Sequence, residues 1–293
     1  MKRPRSNKIQ SLFKSTELDP DKALLEIEKV IGYNSNSIQR VDDFGLFRMF
    51  KNTEYPARLI TFDFSNGREK KVCLLGKGVL FDSGGYNLKS SHMEEMHSDR
   101  YGALVSVLLA QKLKLPVKIF LVVNLINKDA IVPGTILYTH YKNKPVEIVD
   151  TDAEGRIGLA QLIDSSAEYK HLISFATLTG HSEYSIGKGH SEVFSLDKKI
   201  LSQTLIEKNK ILGIGRIFDD YEKCLKSKII QNYNNNYREA GAAKAYLFLT
   251  KFLNKHQTLT HFDIAGTMTE LSKDYTYGLN EYENVINLIR KLK

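Results

Sequence analysis

Apolar and polar residues change their rhythm several times along the chain. Residues 19–32 open with Asp19 and Pro20, continue with apolar positions at helical spacing and close on Gly32. The pattern predicts a helix capped by Asp19, started by Pro20 and ended by Gly32. From residue 57 the period shortens. Residues 57–64 alternate as a strand does, 72–75 form a short apolar run that ends in glycine, and 117–124 are rich in β-branched residues. Residues 101–113 between them are apolar at helical spacing. Further strands are predicted at 146–149, 172–176 and 258–264. Helices are predicted at 155–167, 201–210, 221–228, 240–252 and 281–291. Strands alternating with helices imply an α/β fold: a mixed, largely parallel central sheet flanked by helices on both faces. Ligand sites of such sheets gather at the carboxyl ends of strands.

Composition narrows the class. The 293 residues are 42% hydrophobic and 26% charged, ordinary globular usage. No run approaches the ~20 apolar residues of a spanning helix, so no membrane partner is expected. The two cysteines, Cys73 and Cys224, are far apart and share no metal-like spacing. A reducing, cytoplasmic location follows as the expectation. Residues 1–8 are basic with no apolar core after them, which reads as a frayed terminus and not as a secretory signal. The net charge of +8 is spread along the chain. A general basic surface fits that spread, with a nucleic-acid footprint as the alternative. The Asn-rich stretch 232–236 reads as a loop.

Two segments carry more charge than structure alone requires. Residues 76–89 read Gly-Lys-Gly-Val-Leu-Phe-Asp-Ser-Gly-Gly-Tyr-Asn-Leu-Lys. A phosphate-binding loop is one reading, although the Gly-Lys-Ser/Thr ending is missing. A tight turn with incidental charges is another. The second segment, 150–156, reads Asp-Thr-Asp-Ala-Glu-Gly-Arg between a strand and a helix. A helix start can use one or two of these acids. A cation between them explains all three, and oxygen donors suit Mg²⁺, Mn²⁺ or Zn²⁺. Asp82, Asp99, Asp152 and Glu154, with Lys77, offer enough donors for two divalent ions. Lys89 and Arg156 add positive charge for an oxyanion or another anion. Asp-Ser-Gly-Gly at 82–85 is not a nucleophile elbow, so serine catalysis is not expected. His92, His97, His140, His190, His256 and His261 show no metal-binding pairing and read as surface or packing residues.

Taken together, the segments resemble the signature regions of the leucyl aminopeptidase (cytosol aminopeptidase) family of dinuclear metallo-exopeptidases. The run 76–89 looks like its first metal segment, and Met93, Met96 and Asp99 like its Met-x-x-Met-x-x-Asp stretch. Residues 151–156 look like its Asn-Thr-Asp-Ala-Glu-Gly-Arg motif. Ala-Thr-Leu-Thr-Gly at 176–180, Ala-Gly-Ala-Ala at 240–243 and His-Phe-Asp-Ile-Ala-Gly at 261–266 are similar to later landmarks. The order holds from about residue 56 to about 270.

The resemblance implies roles at the matching positions. Lys77, Asp82, Asp99 and Glu154 would bind the tighter metal, and Asp82, Asp152 and Glu154 the more exchangeable one. Zinc or manganese would fill both places. Lys89 would polarise the scissile carbonyl, and Arg156 would hold a bicarbonate. Met96, Thr177, Leu178 and Gly180 would line the substrate cleft. The implied enzyme removes an N-terminal residue, leucine or another apolar one, from short peptides through a metal-bridging hydroxide. The implied assembly is a homo-oligomer, trimer or hexamer. Residues 1–55 would be a short lead-in and 56–293 the catalytic domain, without the family's usual separate N-terminal domain. Two alternatives stand beside this: a relative with impaired catalysis that binds metal or peptide, and a DNA-binding relative.

Four departures bear on the site. The interval from Lys89 to Asp99 is one residue shorter than the family's. Arg100 and Tyr101 stand where Met-Gly is common, so Tyr101 is expected to crowd the cleft. Asp150 replaces an asparagine and adds charge near the metals. His181 follows Gly180 where a small residue is typical, and reads as a surface or capping residue.

Overall fold

The sheet grows outward from one long buried strand. The computed structural model describes residues 3–67, 71–202, 210–230, 233–235 and 239–291. The strands are β1 (Ser37–Arg40), β2 (Arg58–Asp63), β3 (Val72–Gly76), β4 (Val79–Asp82), β5 (Pro116–Asn124), β6 (Thr135–Tyr138), β7 (Pro145–Ile148), β8 (His171–Ala176), β9 (Ser191–Ser195), β10 (Leu212–Ile214), β11 (Tyr233–Asn234) and β12 (Thr258–Asp263). β5 is buried at all nine positions, as its β-branched run requires. The main sheet runs β1-β2-β5-β3-β8-β12-β9-β10, with β4 also on β5. β5, β3, β8 and β12 are mutually parallel, whereas β2 and β9 flank them antiparallel. A smaller sheet runs β11-β7-β6.

Alternation along each strand divides the core between the two faces. Leu74, Val117, Ile119, Phe175 and Phe262 join one cluster. Helices α1 (Arg3–Phe13), α2 (Pro20–Ile31) and α3 (Tyr101–Leu113) cover it, as does the helix Leu279–Lys291. Cys73, Leu75, Phe120 and Leu172 face the other way, under α4 (Glu154–Asp164) and the helix Gly241–Thr250. A mixed α/β sheet with helices on both faces is therefore what the chain forms. Asp19 caps α2 through its side chain, Pro20 starts it, and Gly32 ends it in the left-handed conformation.

Some expectations change. The N-terminal segment is helical over Arg3–Phe13, with Ile9, Leu12 and Phe13 buried. Those three apolar residues, four or fewer positions apart, give it a face to dock; residues 1–2 lie outside the described residues. A strand at Ser37–Arg40 precedes the first one expected; it is exposed throughout and has no apolar alternation to read. The helix expected at 155–167 spans Glu154–Asp164. Within the stretch read as a loop, Tyr233–Asn234 forms a short strand on β7; residues 232 and 236 lie outside the described residues. Residues 203–209 of the helix expected at 201–210 also lie outside them, and Lys198–Ser202 just before is helical. Among the described residues no helix is long and apolar enough to cross a membrane.

Candidate functional site

The carboxyl ends of β3, β4, β8 and β12 converge on one cavity of about 310 Å³. β3 and β4 pair in succession with the same strand: Gly76 stands opposite Ile119, Val79 opposite Val122 and Asp82 opposite Asn124. Lys77 and Gly78 form the break between them. A Cβ at Gly78 would lie 2.2 Å from the Phe120 oxygen, so only glycine passes so close. The Lys77 N–H donates to Phe175 O at 3.1 Å, and its carbonyl accepts from Ala103 N at 2.7 Å. Held at both ends, Lys77 turns its side chain into the site, where only 3% of it is exposed.

Two lysines hold four carboxylates. Lys77 Nζ lies 3.1 Å from Asp99 Oδ1 and 2.9 Å from Glu154 Oε1, and donates to Thr177 O at 2.8 Å. Lys89 Nζ lies 2.8 Å from Asp82 Oδ2 and also contacts Asp152 Oδ1. The other oxygen of Asp82 accepts from Gly84 N at 2.8 Å and Asn124 Nδ2 at 2.6 Å. Thr177 Oγ1 donates to Asp99 Oδ1 at 2.8 Å. The two acidic loops are locked together. Thr151 Oγ1 donates to Gly84 O at 2.7 Å, and Thr151 N donates to Asn87 Oδ1 at 3.0 Å.

This crowding shows in the protonation equilibria. Burial and the neighbouring Glu154 hold the Asp82 carboxyl well above the usual range, against the pull of Lys89. The same causes push Asp152 up to about 6. Burial alone would lower Lys77 and Lys89. The acids outweigh it, Asp99 and Glu154 at Lys77 and Asp82 at Lys89, and both ammonium groups are held above their ordinary value. Carboxylate oxygens of Asp82, Asp152 and Glu154 lie within 4.8 Å of one another. Three hard oxygen donors so placed, partly neutralised by lysine ammonium groups, are a donor set that fits divalent cations.

Most of the residues expected from the sequence meet here. Lys77, Asp82, Lys89, Met96, Asp99, Asp152, Glu154, Thr177, Leu178 and Gly180 all line the cavity. Arg156 is buried in the first turn of α4 and is not among the lining residues. Its charge helps to lower His181 and His261, in both cases after burial. The shortened interval before Asp99 falls in coil and the 3₁₀ helix Met93–Arg100, and Met96 and Asp99 still reach the cavity. Tyr101 does not crowd it, because its side chain packs into the core under α1. Asp150 accepts from Asp152 N at 2.8 Å and adds a small upward push on Asp152. His181 begins α5 (His181–Ile186), half-buried, and lines a separate cavity. His97, His190 and His256 contact backbone oxygens and His140 stacks on Phe44; His261, fully buried, pairs with Ser174 Oγ at 2.8 Å.

Supporting residues escaped the sequence reading. Asp263 ends β12 and accepts from Leu178 N, Thr179 N, Thr179 Oγ1 and Ala265 N at 2.8–3.2 Å. It thereby fixes the 177–180 loop, and burial pushes it up to about 7 against those four donors. Asn235 accepts from Val149 N at 2.8 Å and donates to Asp150 O at 2.6 Å, bracing the acidic loop. Glu183, Ala265 and Met268 complete the wall. Their one sequence signal is that Asp263 and Ala265 fall inside the 261–266 landmark. A larger hollow of about 950 Å³ between α1 and α2 is lined by Lys8, Lys14, Glu17, Lys22 and Glu26 among others, and holds no such cluster.

Known proteins share this frame. Residues 18–284 match the model of the cytosol aminopeptidase family, catalytic domain, and the chain belongs to that family. It is 34% identical over 255 residues to a probable cytosol aminopeptidase of Chlorobaculum tepidum, which covers 81% of the chain and 50% of that relative. It is 34% identical over 238 residues to peptidase B of Photorhabdus laumondii, covering 73% and 55%. The chain thus spans about half the length of the curated relatives it matches. Its fold is also that of a leucyl aminopeptidase from Trypanosoma brucei solved with bestatin, with a TM-score of 0.80 at 22% identity, over 96% of the chain and 61% of that protein.

Proposed function

We propose that the chain hydrolyses the N-terminal residue, leucine or another apolar one, from short peptides. The observation that supports this most is the gathering of Asp82, Asp152 and Glu154 within 4.8 Å, at strand ends in a cavity that Met96, Leu178, Ala265 and Met268 also line. Two divalent cations, zinc or manganese, would be held by Asp82, Asp152 and Glu154, with Asp99 and Lys77 completing the set. Bound there, they would supply an acidified water and a polarised carbonyl. Lys77 can ligate only as a neutral amine, so its proton must leave when a cation arrives.

The chain's own groups do the rest. Lys89 keeps its proton and presents N–H donors at the cavity wall, where a developing oxyanion is stabilised. Asp82 is oriented by Gly84 and Asn124. Thr177 and Leu178, held in place by Lys77, Asp99 and Asp263, line the cleft for the substrate backbone. Met96 shapes the place of the first side chain. The resemblance assigns Arg156 to a bicarbonate. The same reading takes the protein as a cytoplasmic homo-oligomer, trimer or hexamer.

Hydrolysis of leucine p-nitroanilide tests this, after EDTA treatment and again with added manganese or zinc. The expected result is loss and metal-dependent return of cleavage. Absence of cleavage by the folded chain under every metal overturns the reading.

A further inference from the structure

Five carboxylates line the cavity among the described residues, and four of them face Lys77 or Lys89. The fifth, Glu183, does not. It sits in the first turn of α5, three positions after Gly180, which lines the same cavity. The Glu183 N–H donates to Gly180 O at 3.2 Å, which ties the start of the helix to the loop that lines the cavity. Its ion-pair partner is Lys188, 4.0 Å away and 85% exposed, whereas the Glu183 side chain is 22% exposed. A contact that long, to so exposed a lysine, holds the carboxylate weakly.

The cavity that Glu183 lines has an apolar part, Met96, Leu178, Ala265 and Met268, alongside the hydroxyl groups of Ser90, Ser91, Thr177 and Thr179. Four apolar side chains and one acid not engaged by Lys77 or Lys89 suit a side chain built as a methylene stem with a cationic head, as in lysine and arginine. The acids around Lys77 and Lys89 are committed to those ammonium groups or to metal, whereas the ion-pair partner of Glu183 is the exposed Lys188 alone.

We infer that Glu183 is a specificity-determining residue that admits peptides with an N-terminal lysine or arginine alongside those with leucine. The inference rests on the proposed aminopeptidase reading and names a further substrate class for the same site. Methionine and leucine side chains grip the stem, and the carboxylate meets the head.

The test compares kcat/KM for lysine and leucine p-nitroanilides with the manganese-loaded chain. Wild type should cleave both. Glu183→Gln should lower the lysine-to-leucine ratio about tenfold, mainly through the KM for lysine, and Glu183→Lys should lower it further. Raising salt from about 50 to about 500 mM should depress the wild-type ratio and leave that of Glu183→Gln flat. Calorimetric binding of free lysine and free leucine should show the same change of preference without turnover. Melting curves of both variants check that the fold survives. An unchanged ratio in folded variants, or cleavage of leucine but not lysine by wild type, overturns the inference while leaving the function standing. Cleavage of neither substrate under any metal overturns the function itself, and the inference with it.

Discussion

The hydroxyl of Tyr101 donates to the backbone oxygen of Phe13 at 2.7 Å, and the two rings meet edge-on at 5.0 Å. Tyr101 therefore ties α1 to the start of α3, with its ring in the core and not in the cavity. Its neighbour Arg100 does similar work, donating to Leu80 O at 2.6 Å and Glu17 O at 2.9 Å. A residue pair that looked like damage to the cleft is a brace behind it. Tyr101→Phe should cost about 1 kcal/mol in urea unfolding, the typical net worth of such a hydrogen bond. Hydrolysis of leucine p-nitroanilide should not change.

Gly102 next to it has no such freedom. A Cβ there would stand 2.4 Å from Phe175 O and 2.9 Å from Lys77 O. Gly102→Ala must push the backbone that aims Lys77 into the site. We expect a loss of about 1–3 kcal/mol of stability by urea unfolding together with a steep fall in kcat, which Tyr101→Phe should not share.

Asp82→Asn separates ligand from scaffold. The amide oxygen can still accept from Gly84 and Asn124, which keeps the loop shape, but the negative charge is gone. Turnover should drop by at least about a hundredfold, beyond the loss typical of outer-shell partners. Manganese should also no longer raise the melting temperature, because binding to the native state is what raises it. A melting curve of the metal-free variant checks that the fold survives.

His261 predicts acid sensitivity. Burial, then the charge of Arg156, pushes its imidazole down to about 3. The unfolded chain takes up that proton near pH 6.5. With the folded value below the unfolded one, the unfolded state binds the extra proton. Stability is therefore lost as pH falls from about 6.5 toward 3, by up to about 1.4 kcal/mol per pH unit from this group. Urea unfolding at pH 7 and pH 5 should show a smaller difference for His261→Gln than for wild type.

The sequence was most readable where one physical demand dominates. Residues 119–123 are apolar on both faces because β5 is buried on both, and Asp19, Pro20 and Gly32 mark a helix by local chemistry alone. β9 resisted reading for the opposite reason. All five of its positions are buried, yet Ser191, Glu192 and Ser195 are polar. Ser191 Oγ is satisfied by Tyr282 at 2.6 Å and Glu192 by Ser185 at 2.9 Å, partners up to 91 residues away. The site divides in the same way. Its lysines and acids announce themselves because their charges crowd into glycine-rich loops. Asp263 and Glu183 are single acids and Asn235 is one asparagine of several, and only the folded chain brings them to the loops they hold or the cavity they line.

The shared strand beneath Lys77 and Asp82 makes part of the site intolerant of changes in length. From Val79 to Asp82 the chain takes three steps while β5 takes two, from Val122 to Asn124. One surplus residue is already absorbed there. A further insertion would turn Asp82 to the opposite face of the sheet, since side chains alternate with every step. The stretch from Lys89 to Asp99 is paired with no strand, and Met96 and Asp99 reach the cavity from it. Insertions and deletions around this site should therefore be tolerated after Lys89 and lethal to it between Lys77 and Asp82.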